Sequence, residues 1–413
     1  SFAYEDILAR VTKVLALRSI LPKSPGRLRL QRLSYQSLGW VMGRLKGWRA
    51  PECGEGYRKS LEAAEELGDA MIISDELAWS CFPSRACGEL DAALAMGERA
   101  LHLAQGGPEG WVIWVQGELA RTLLYRGAFI RAAELLAPLP ELLRRTGSIM
   151  PWSNSIGQLV LAPWALWCLG HPDQALQVGE ATLRMINREG AKFQVGADVM
   201  VLWSAFCFTE RLRRDLAGVE GTLRTLEPLV EEGHCPPNML PLIAMFQGWV
   251  HVERGLLEQG IAEQRQALDV YERDSLSMVP HYKGYLAEAL GRAGRVEEGL
   301  QVLAEALEQV ERTNERFNEA ELWRLRGELL RHGDTGTRRL GDEEEAEACF
   351  RRAIEVARGQ EARSWELRAT VSLARLLWGQ GRGVEGQEML SAIYGWFSEG
   401  FDTPDLQEAR ALL

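Results

Sequence analysis

Histidines, cysteines and acidic residues are the side chains most often used for catalysis, and here none of them is spaced for it. The six histidines and seven cysteines are scattered, with no HExxH motif and no grouping at zinc-ligand spacing. Cys81 and Cys87 flank Pro83, which favours a helix and a turn over a metal site. A GxSxG elbow is absent, and GRAGRVEE lacks the spacing and the lysine of a phosphate-binding loop. We therefore predict a chain that is not an enzyme and needs no cofactor or metal.

The remaining polar clusters have structural explanations. The acidic run DEEEAEA at 342–348 is placed where negative charge stabilises the start of a helix. His171 and His332 lie beside predicted turns, where solvated histidines are common. His281 is the one histidine that we single out for inspection, although a structural role is the simpler interpretation.

Tryptophan is the unusual feature of the composition, with fourteen residues in the chain. Large aromatic side chains with a few polar partners are typical of ligand grooves and interface anchors. Two interpretations stay open: the rings pack neighbouring helices together, or they line an exposed aromatic groove. The choice depends on the elements that position them.

Small residues that recur in step along the chain predict those elements. Around Gly294, Ala287 lies seven residues before, Gly299 five after and Ala306 twelve after. Similar patterns surround five other glycines: Gly88, Gly127, Gly170, Gly255 and Gly381. A glycine closes a turn without a Cβ penalty, and small residues on either side let two helices approach closely. Each pattern therefore predicts a helical hairpin.

The spacing of these glycines predicts a repeat array. They are separated by 39, 43, 85, 39 and 87 residues, so degenerate units are expected near 213 and 334. Including a looser N-terminal part at 1–67, this gives about nine helix pairs and a terminal capping helix at 404–413. A fixed period near 40 is a solenoid signature. We predict one all-α, right-handed superhelix over 1–413, with an extended concave surface.

The repeat resembles the tetratricopeptide (TPR) motif in a longer form, most clearly in EAEACFRRAIEVARGQEARSWELRATVSLARLLWGQGR. The run from SWELRATVSLARLLWGQGR to GWFSEGFDTPDLQEARALL also resembles the TPR-like tail of large bacterial signalling proteins. Those proteins carry a class III adenylate/guanylate cyclase domain and a STAND-type AAA-like ATPase. The stretches GWRAPECGEGYRKSLEAAEELGD, ALWCLGHPDQAL and ERFNEAELWRLRGELL fit the same tail. We find no catalytic motif of either module here, so the resemblance implies a sensing or docking surface for an attached enzyme.

In TPR-like proteins the first helix of each pair lines the concave side, and this analogy selects the inward residues. They are mainly aromatic in the middle of the chain. Toward its end they are mostly charged, with both signs, and the inward positions there include Glu288, Glu321, Glu328 and Trp378. An arginine such as Arg121 could pair with a carboxylate or phosphate, although solvation or a local salt bridge is the simpler interpretation. The candidate binding residues are Trp114, Arg121, Trp164, Trp167, Trp203, Trp249, His281, Arg324, Arg331, Arg368 and Arg375.

Composition narrows the class of partner. A net charge of -11 argues against an extended nucleic-acid footprint, which needs a basic face. No apolar run approaches the roughly 18 residues of a membrane span. Scattered, unpaired cysteines are typical of buried thiols in a reducing cytoplasm, where we expect the chain to reside.

These observations favour a non-catalytic regulatory solenoid. It would bind a protein or peptide segment, or a small effector, and control an attached or partner signalling enzyme, including its own upstream catalytic domains. Two alternatives remain: the effector-binding or oligomerisation domain of a maltose-activator-like bacterial transcription regulator, and a self-assembling scaffold that forms homo-oligomers. A first residue of Ser1 suggests a processed chain or a piece of something larger.

Overall fold

Every regular element among the described residues is helical. The structure is a computed structural model that describes residues 2–17, 22, 24–141, 160–189, 206–233, 235, 237–331 and 341–413. A single 3-10 turn, Pro237–Met239, accompanies the α-helices. The helices are α1 Phe2–Leu17, α2 Pro25–Lys46, α3 Pro51–Leu67, α4 Ala70–Ala86, α5 Leu90–Ala104, α6 Glu109–Tyr125, α7 Phe129–Leu136, α8 Ala162–Cys168, α9 Pro172–Glu189, α10 Phe208–Leu212, α11 Leu216–Glu231, α12 Leu240–Glu253, α13 Leu257–Asp274, α14 Val279–Arg292, α15 Val296–Thr313, α16 Glu319–Arg331, α17 Asp342–Gly359, α18 Arg363–Gly379, α19 Gly383–Tyr394 and α20 Pro404–Leu412.

The helices pack in sequential pairs. Within the described ranges, α2 to α19 form nine pairs, from α2 with α3 to α18 with α19, and the two members of each pair contact each other. Most pairs are joined by a turn of only three residues, so the two helices run antiparallel. The predicted all-α, TPR-like solenoid with a period near 40 residues is therefore confirmed.

In seven of the nine pairs the turn is closed by a residue in the left-handed backbone region. Gly88, Gly127, Gly170, Gly255, Gly294 and Gly381 have φ between 73° and 92°, which is the conformation that their spacing predicted. The pair α10–α11, near the predicted degenerate unit at 213, has Arg214 in this place with φ of 60°. The turn expected near 334 lies within 332–340, outside the described residues.

The small residues allow helix backbones to touch. A Cβ on Gly260 would lie 2.5 Å from the Gly248 carbonyl oxygen, and a Cβ on Gly248 would lie 2.9 Å from that of Gly260. Likewise, a Cβ on Gly386 would lie 3.1 Å from the Ala374 Cα. These are the positions five after and seven before the turn glycine. Their small size is thus a steric requirement of the pair.

The superhelix is tight enough for its turns to touch. The Leu276 amide donates to the Ala86 carbonyl, and the Arg316 amide donates to the Tyr125 carbonyl. The Ser364 hydroxyl donates to the Trp167 carbonyl, 197 residues away in sequence. In each case the end of one pair's first helix meets the linker that follows the fourth pair after it, or, for Ser364, the first turn of the helix after that linker. One superhelical turn therefore takes between four and five pairs.

Aromatic rings fill the axis of this tight superhelix. Trp164 stacks on Phe208 at 4.0 Å between ring centroids, and Phe208 stacks on His281 at 4.8 Å. Phe317 lies edge-on to His281, with centroids 5.6 Å apart. One hydrophobic cluster extends across these pairs from Leu90 to Trp365. The interior at this level is packed protein.

The steric argument predicts the effect of a methyl group at Gly260. We expect Gly260→Ala to lower the free energy of unfolding by about 1 to 3 kcal/mol, because the new Cβ overpacks the contact with Gly248. Gly54→Ala is the matched control, since its Cβ would meet nothing within 4 Å, and it should stabilise by about 0.5 to 1 kcal/mol. Urea denaturation measures both. Equal effects at the two sites would contradict the close approach.

A buried carboxyl in a linker between pairs predicts an unusual pH dependence. Burial raises the pKa of Glu315 to about 8, although its carboxylate accepts a 2.7 Å hydrogen bond from the Met278 amide. The folded chain therefore keeps a proton that the unfolded chain releases above the ordinary pKa of 4.5. Because of this group, the free energy of unfolding falls as pH rises from 5 to 8.

Glu315→Gln keeps the hydrogen-bond acceptor and removes the titration. We expect the variant to unfold with a free energy about 2 to 4 kcal/mol higher than the wild type at pH 8 and nearly equal at pH 5. The exposed Glu308→Gln serves as the control. Urea denaturation at the two pH values tests this, and a variant with the same pH profile as the wild type would refute it.

Candidate functional site

A charged cavity lies where four helix pairs and the terminal helix converge. Its volume is about 140 Å³. Five arginines and four carboxylates account for nine of its eleven lining residues, so the lining has a formal charge of +1. The lining residues are Arg211, Arg214, Glu288, Glu321, Arg324, Arg368, Val371, Ser372, Arg375, Asp405 and Glu408.

Arg211 enters the cavity from the short helix α10. Its guanidinium lies 4.8 Å from the Trp249 ring centroid and 4.4 Å from that of Tyr285. Its Nη2 donates to the Glu288 carboxylate at 2.6 Å. The Arg211 Nε is buried and has no hydrogen-bond partner among the described residues. Burial makes an unused N–H of a charged group costly, so Arg211 carries an unsatisfied donor at the cavity.

Arg368 is, with Arg211, one of the two buried arginines of the cavity. Its guanidinium lies 4.9 Å from the Trp167 ring and 5.2 Å from the Trp365 ring. Nε donates to Asp405 at 2.7 Å, and Nη2 donates to the Leu212 carbonyl. Arg368 thus joins the ninth pair to the fifth pair and to the terminal helix.

Arg324 forms the opposite wall. Nε and Nη2 donate to the two oxygens of Glu321, both at 2.8 Å, which is a bidentate pair. Glu328 accepts from the Ser372 hydroxyl at 2.6 Å and pairs with Arg331 at 3.0 Å. Neighbouring helices α16 and α18 are therefore linked by charged hydrogen bonds at the cavity.

The charges of this wall persist at neutral pH. Burial alone would raise the pKa of Glu321, but Arg324, Arg368 and Arg211 outweigh it and hold the pKa below its usual value. Burial likewise opposes the charge of Arg324, and the carboxylates around it raise its pKa. The cavity therefore presents fixed positive and negative charges side by side.

The two most exposed arginines face the terminal helix. Arg214 pairs with Glu408 at 2.9 Å and with Asp405 at 3.4 Å. Arg375 pairs with Glu408 at 3.4 Å, and 36% of its side chain is exposed. The cavity is open to solvent on this side.

His281 lies beneath the cavity and remains neutral. Its Nε2 is 2.7 Å from the Tyr285 hydroxyl, and it is buried among the axial rings. Burial, with help from the positive charges of Arg211 and Arg368, lowers its pKa well below the usual value. Its position is that of a packing residue that also supports the Tyr285 ring under Arg211.

The predicted aromatic residues lie in the interior. Trp114, Trp164, Trp167 and Trp249 are 5%, 1%, 1% and 3% exposed. Trp164 and Trp167 belong to the axial core. Two of the rings also contact cavity arginines: Trp249 packs against Arg211, and Trp167 packs against Arg368. We call these two rings the aromatic floor of the cavity. Arg121 lies elsewhere, 3.9 Å from Glu118. Trp203 is outside the described residues.

The predicted charged residues converge. Arg324, Arg368 and Arg375 line the cavity, and Arg331 lies beside it through Glu328. Sequence analysis did not select Arg211, Arg214, Ser372, Asp405 or Glu408. Trp378, an inward position, lies three residues before the turn residue Gly381, and Arg211 lies three residues before Arg214. Placing the degenerate turn at 214 instead of 213 would therefore have selected Arg211.

The described residues contain neither a metal-ligand cluster nor a helix suited to a membrane. No group of three or more His, Cys, Asp or Glu side chains is arranged to hold a metal ion in the described part of the chain. Among the helices given above, none combines the length and the apolar composition that crossing a bilayer requires.

Comparison with known proteins supports the fold. No family model matches the chain. An uncharacterized protein of Rhizobium meliloti (strain 1021) is 32% identical over 134 residues, which is 32% of this chain and 12% of that protein. The chain therefore matches only a small part of a much longer curated relative.

Two solved structures share the architecture over nearly the full chain. A Rap protein in complex with competence and sporulation factor superposes with a TM-score of 0.57 and 9% identity, covering 94% of this chain and 100% of that one. The apo form of the quorum sensor NprR from B. thuringiensis gives a TM-score of 0.51 and 13% identity, covering 95% and 99%. Identities this low show a shared TPR-like fold alone.

The enclosure of Arg368 predicts a large effect of its removal. We expect Arg368→Met to lower the free energy of unfolding by about 3 to 5 kcal/mol, because Asp405 loses its 2.7 Å partner in a buried site. Arg375→Met removes a longer, more exposed pair and should cost less than about 1 kcal/mol. Urea denaturation measures both.

A double variant separates the ion pair from other contacts of Arg368. Arg368→Met with Asp405→Asn should be less destabilised than the sum of the two single variants. Additive effects would show that the charge pair does not stabilise this junction.

Proposed function

We propose that this chain is a non-catalytic regulatory solenoid that binds a charged protein segment at the cavity on its inner face. The observation that carries the proposal is the convergence of five arginines and four carboxylates around one open space. Residues so distant in sequence meet there only because the superhelix folds back on itself. In this proposal residues 1–413 act as one unit.

The chemistry of the cavity favours a peptide segment with charged side chains. Guanidinium groups recognise carboxylates through two parallel hydrogen bonds, and the carboxylates of Glu288 and Glu321 can accept from cationic groups. The unpartnered Arg211 Nε supplies one buried donor. The aromatic floor under Arg211 and Arg368 fixes the arginines in place, so little side-chain entropy is lost on binding.

We further propose that binding controls an attached or partner signalling enzyme of the cyclase or ATPase type. The resemblance to the TPR-like tail of such proteins supports this. So does the match to a small part of a much longer relative. The Rap structure that shares the fold was solved in complex with competence and sporulation factor, which is in keeping with a binding role.

Labelled peptides of defined charge test the binding function. We would titrate fluorescein-labelled 15-residue peptides that are acidic, basic, mixed in charge or neutral, and follow fluorescence anisotropy and intrinsic tryptophan emission. We expect a charged class to bind and the neutral class not to bind. Trp167 and Trp249 should report binding, since their rings contact cavity arginines.

Variants locate the binding. If the acidic class binds, Arg375→Gln should weaken it by at least about fivefold, and if the basic class binds, Glu288→Gln should do so, because each variant removes the lining charge opposite to that of the peptide. Arg351→Gln is the control, as Arg351 is an exposed arginine outside the cavity. Binding that is equal in all three variants, or the absence of binding by every class, would overturn the proposal.

A further inference from the structure

The terminal helix α20 supplies two of the four carboxylates of the cavity. Asp405 accepts from Arg368 at 2.7 Å, and Glu408 accepts from Arg214 at 2.9 Å. Arg375 adds a longer contact to Glu408 at 3.4 Å. Three of the five cavity arginines are therefore paired with the two carboxylates of one nine-residue helix at the end of the chain.

These contacts differ from those of a simple cap. A terminal capping element needs a polar outer face that solvates the array. Here the acidic residues of α20 turn inward, and Asp405 is 8% exposed. Arg214 lies 191 residues before Asp405, in the fifth helix pair. The helix thus closes the array and also fills an arginine site formed by two superhelical turns.

An apolar strip lies beside these arginines. Leu406 and Ala409 are buried against Leu367, Val371 and Ile393 of the last pair. Along α20 the carboxylates are three residues apart, and the buried apolar side chains directly follow each of them. Arg214, Arg368 and Arg375, together with this apolar strip, form the surface on which α20 lies, which we call the seat. The seat therefore accepts an amphipathic helix with acidic residues along one edge of its apolar face.

Arg214 is a second, independent sign that this seat is functional. It occupies the turn position that glycine fills in six other pairs, with φ of 60°, a conformation that L-residues disfavour. A glycine there would remove the strain but also the guanidinium that reaches Asp405 and Glu408. The strained turn thus coincides with a side chain that the terminal helix uses as an ion-pair partner.

We propose that this seat docks an acidic amphipathic helix of a partner protein, and that α20 is the internal occupant which this helix displaces. The inference rests on the proposed binding function and names its ligand class. Charge complementarity identifies the occupant, since the chain's own helix shows what the three arginines and the apolar strip accept.

Part of the contact that holds the internal occupant is weak. An isolated helix of nine residues is unstable in water, so α20 depends on its tertiary contacts. The Glu408 ion pairs are partly exposed, and pairs of this kind contribute little and are screened by salt. While α20 occupies the seat, a partner cannot bind there. The apparent affinity of the partner is therefore its intrinsic affinity multiplied by the fraction of chains whose seat is free.

A peptide with the sequence of residues 401–413 is the probe for this site. We would measure its binding to the full chain by anisotropy, with a fluorescein label. The full-length Asp405→Asn/Glu408→Gln variant should bind it at least about tenfold more tightly than the wild type, because its arginines are released from the internal carboxylates. Glu388→Gln, an exposed carboxylate outside the seat, should match the wild type.

The probe and hydrogen exchange test displacement directly. A probe that carries Asp405→Asn and Glu408→Gln should not bind. Addition of the acidic probe to the wild type should accelerate amide exchange in 404–412 and leave α18 protected. Equal affinity of the double variant and the wild type, or unchanged exchange in 404–412, would overturn the inference.

A second variant covers a failure of the double variant to fold. Arg214→Gly removes one arginine of the seat and suits the left-handed turn, so the array should stay folded. We expect faster exchange in 404–412 with unchanged exchange in α14. Exchange in 404–412 at the wild-type rate would refute the role of Arg214 in holding the helix.

The outcomes separate this inference from the proposed function. If charged peptides bind at the cavity but leave exchange in 404–412 unchanged, the binding function stands and the displacement of α20 is wrong. If no peptide binds any form of the chain, both are wrong. A chain that is dimeric in sedimentation and becomes monomeric with Glu408→Gln would identify a second copy as the occupant and overturn the partner helix.

Discussion

Contact between successive superhelical turns is the constraint on which the rest of the structure depends. The amide–carbonyl bonds from Arg316 to Tyr125 and from Leu276 to Ala86 each join one pair to the linker four pairs later. A wider superhelix would leave an open channel along its axis. This one brings opposite inner faces together, so large rings such as Trp164, Phe208 and Phe317 are needed to fill the axis. The inner face is therefore a core over much of its length.

The same closure explains why the charged cavity forms near the end of the chain. Inner positions of the last three pairs are charged, and packing charges against one another in a dry core would be costly without partners. The sequence meets this cost with paired arginines and carboxylates, with aromatic faces under Arg211 and Arg368, and with partial access to solvent at Arg375. A cavity of about 140 Å³ remains between them. Fixed charges of both signs in such a space are suited to recognising another charged segment.

The terminal helix connects this electrostatic site to the stability of the array. Leu406 and Ala409 cover the apolar face of the last pair, which any solenoid must shield from water. Asp405 and Glu408 on the same helix neutralise arginines of two superhelical turns. Capping and charge compensation are thus carried by one short element. A ligand that competes for the arginines would also act on the end of the solenoid, which gives a physical route from binding to a change at the C-terminal end.

The sequence by itself determined the repeat and its phase, because steric requirements are local. Gly260 must be small where it meets Gly248, and Gly294 must adopt a positive φ, whatever surrounds them. The phase also placed Arg324, Arg368 and Arg375 on the inner face. Only the tertiary structure decided how tightly the superhelix closes, since that depends on contacts between residues such as Arg214 and Asp405 that are 191 positions apart. The same closure buried Trp164 and Trp167 and brought Arg211, Asp405 and Glu408 to the cavity. No local pattern encodes it, because it sums small rotations between every pair of neighbouring units.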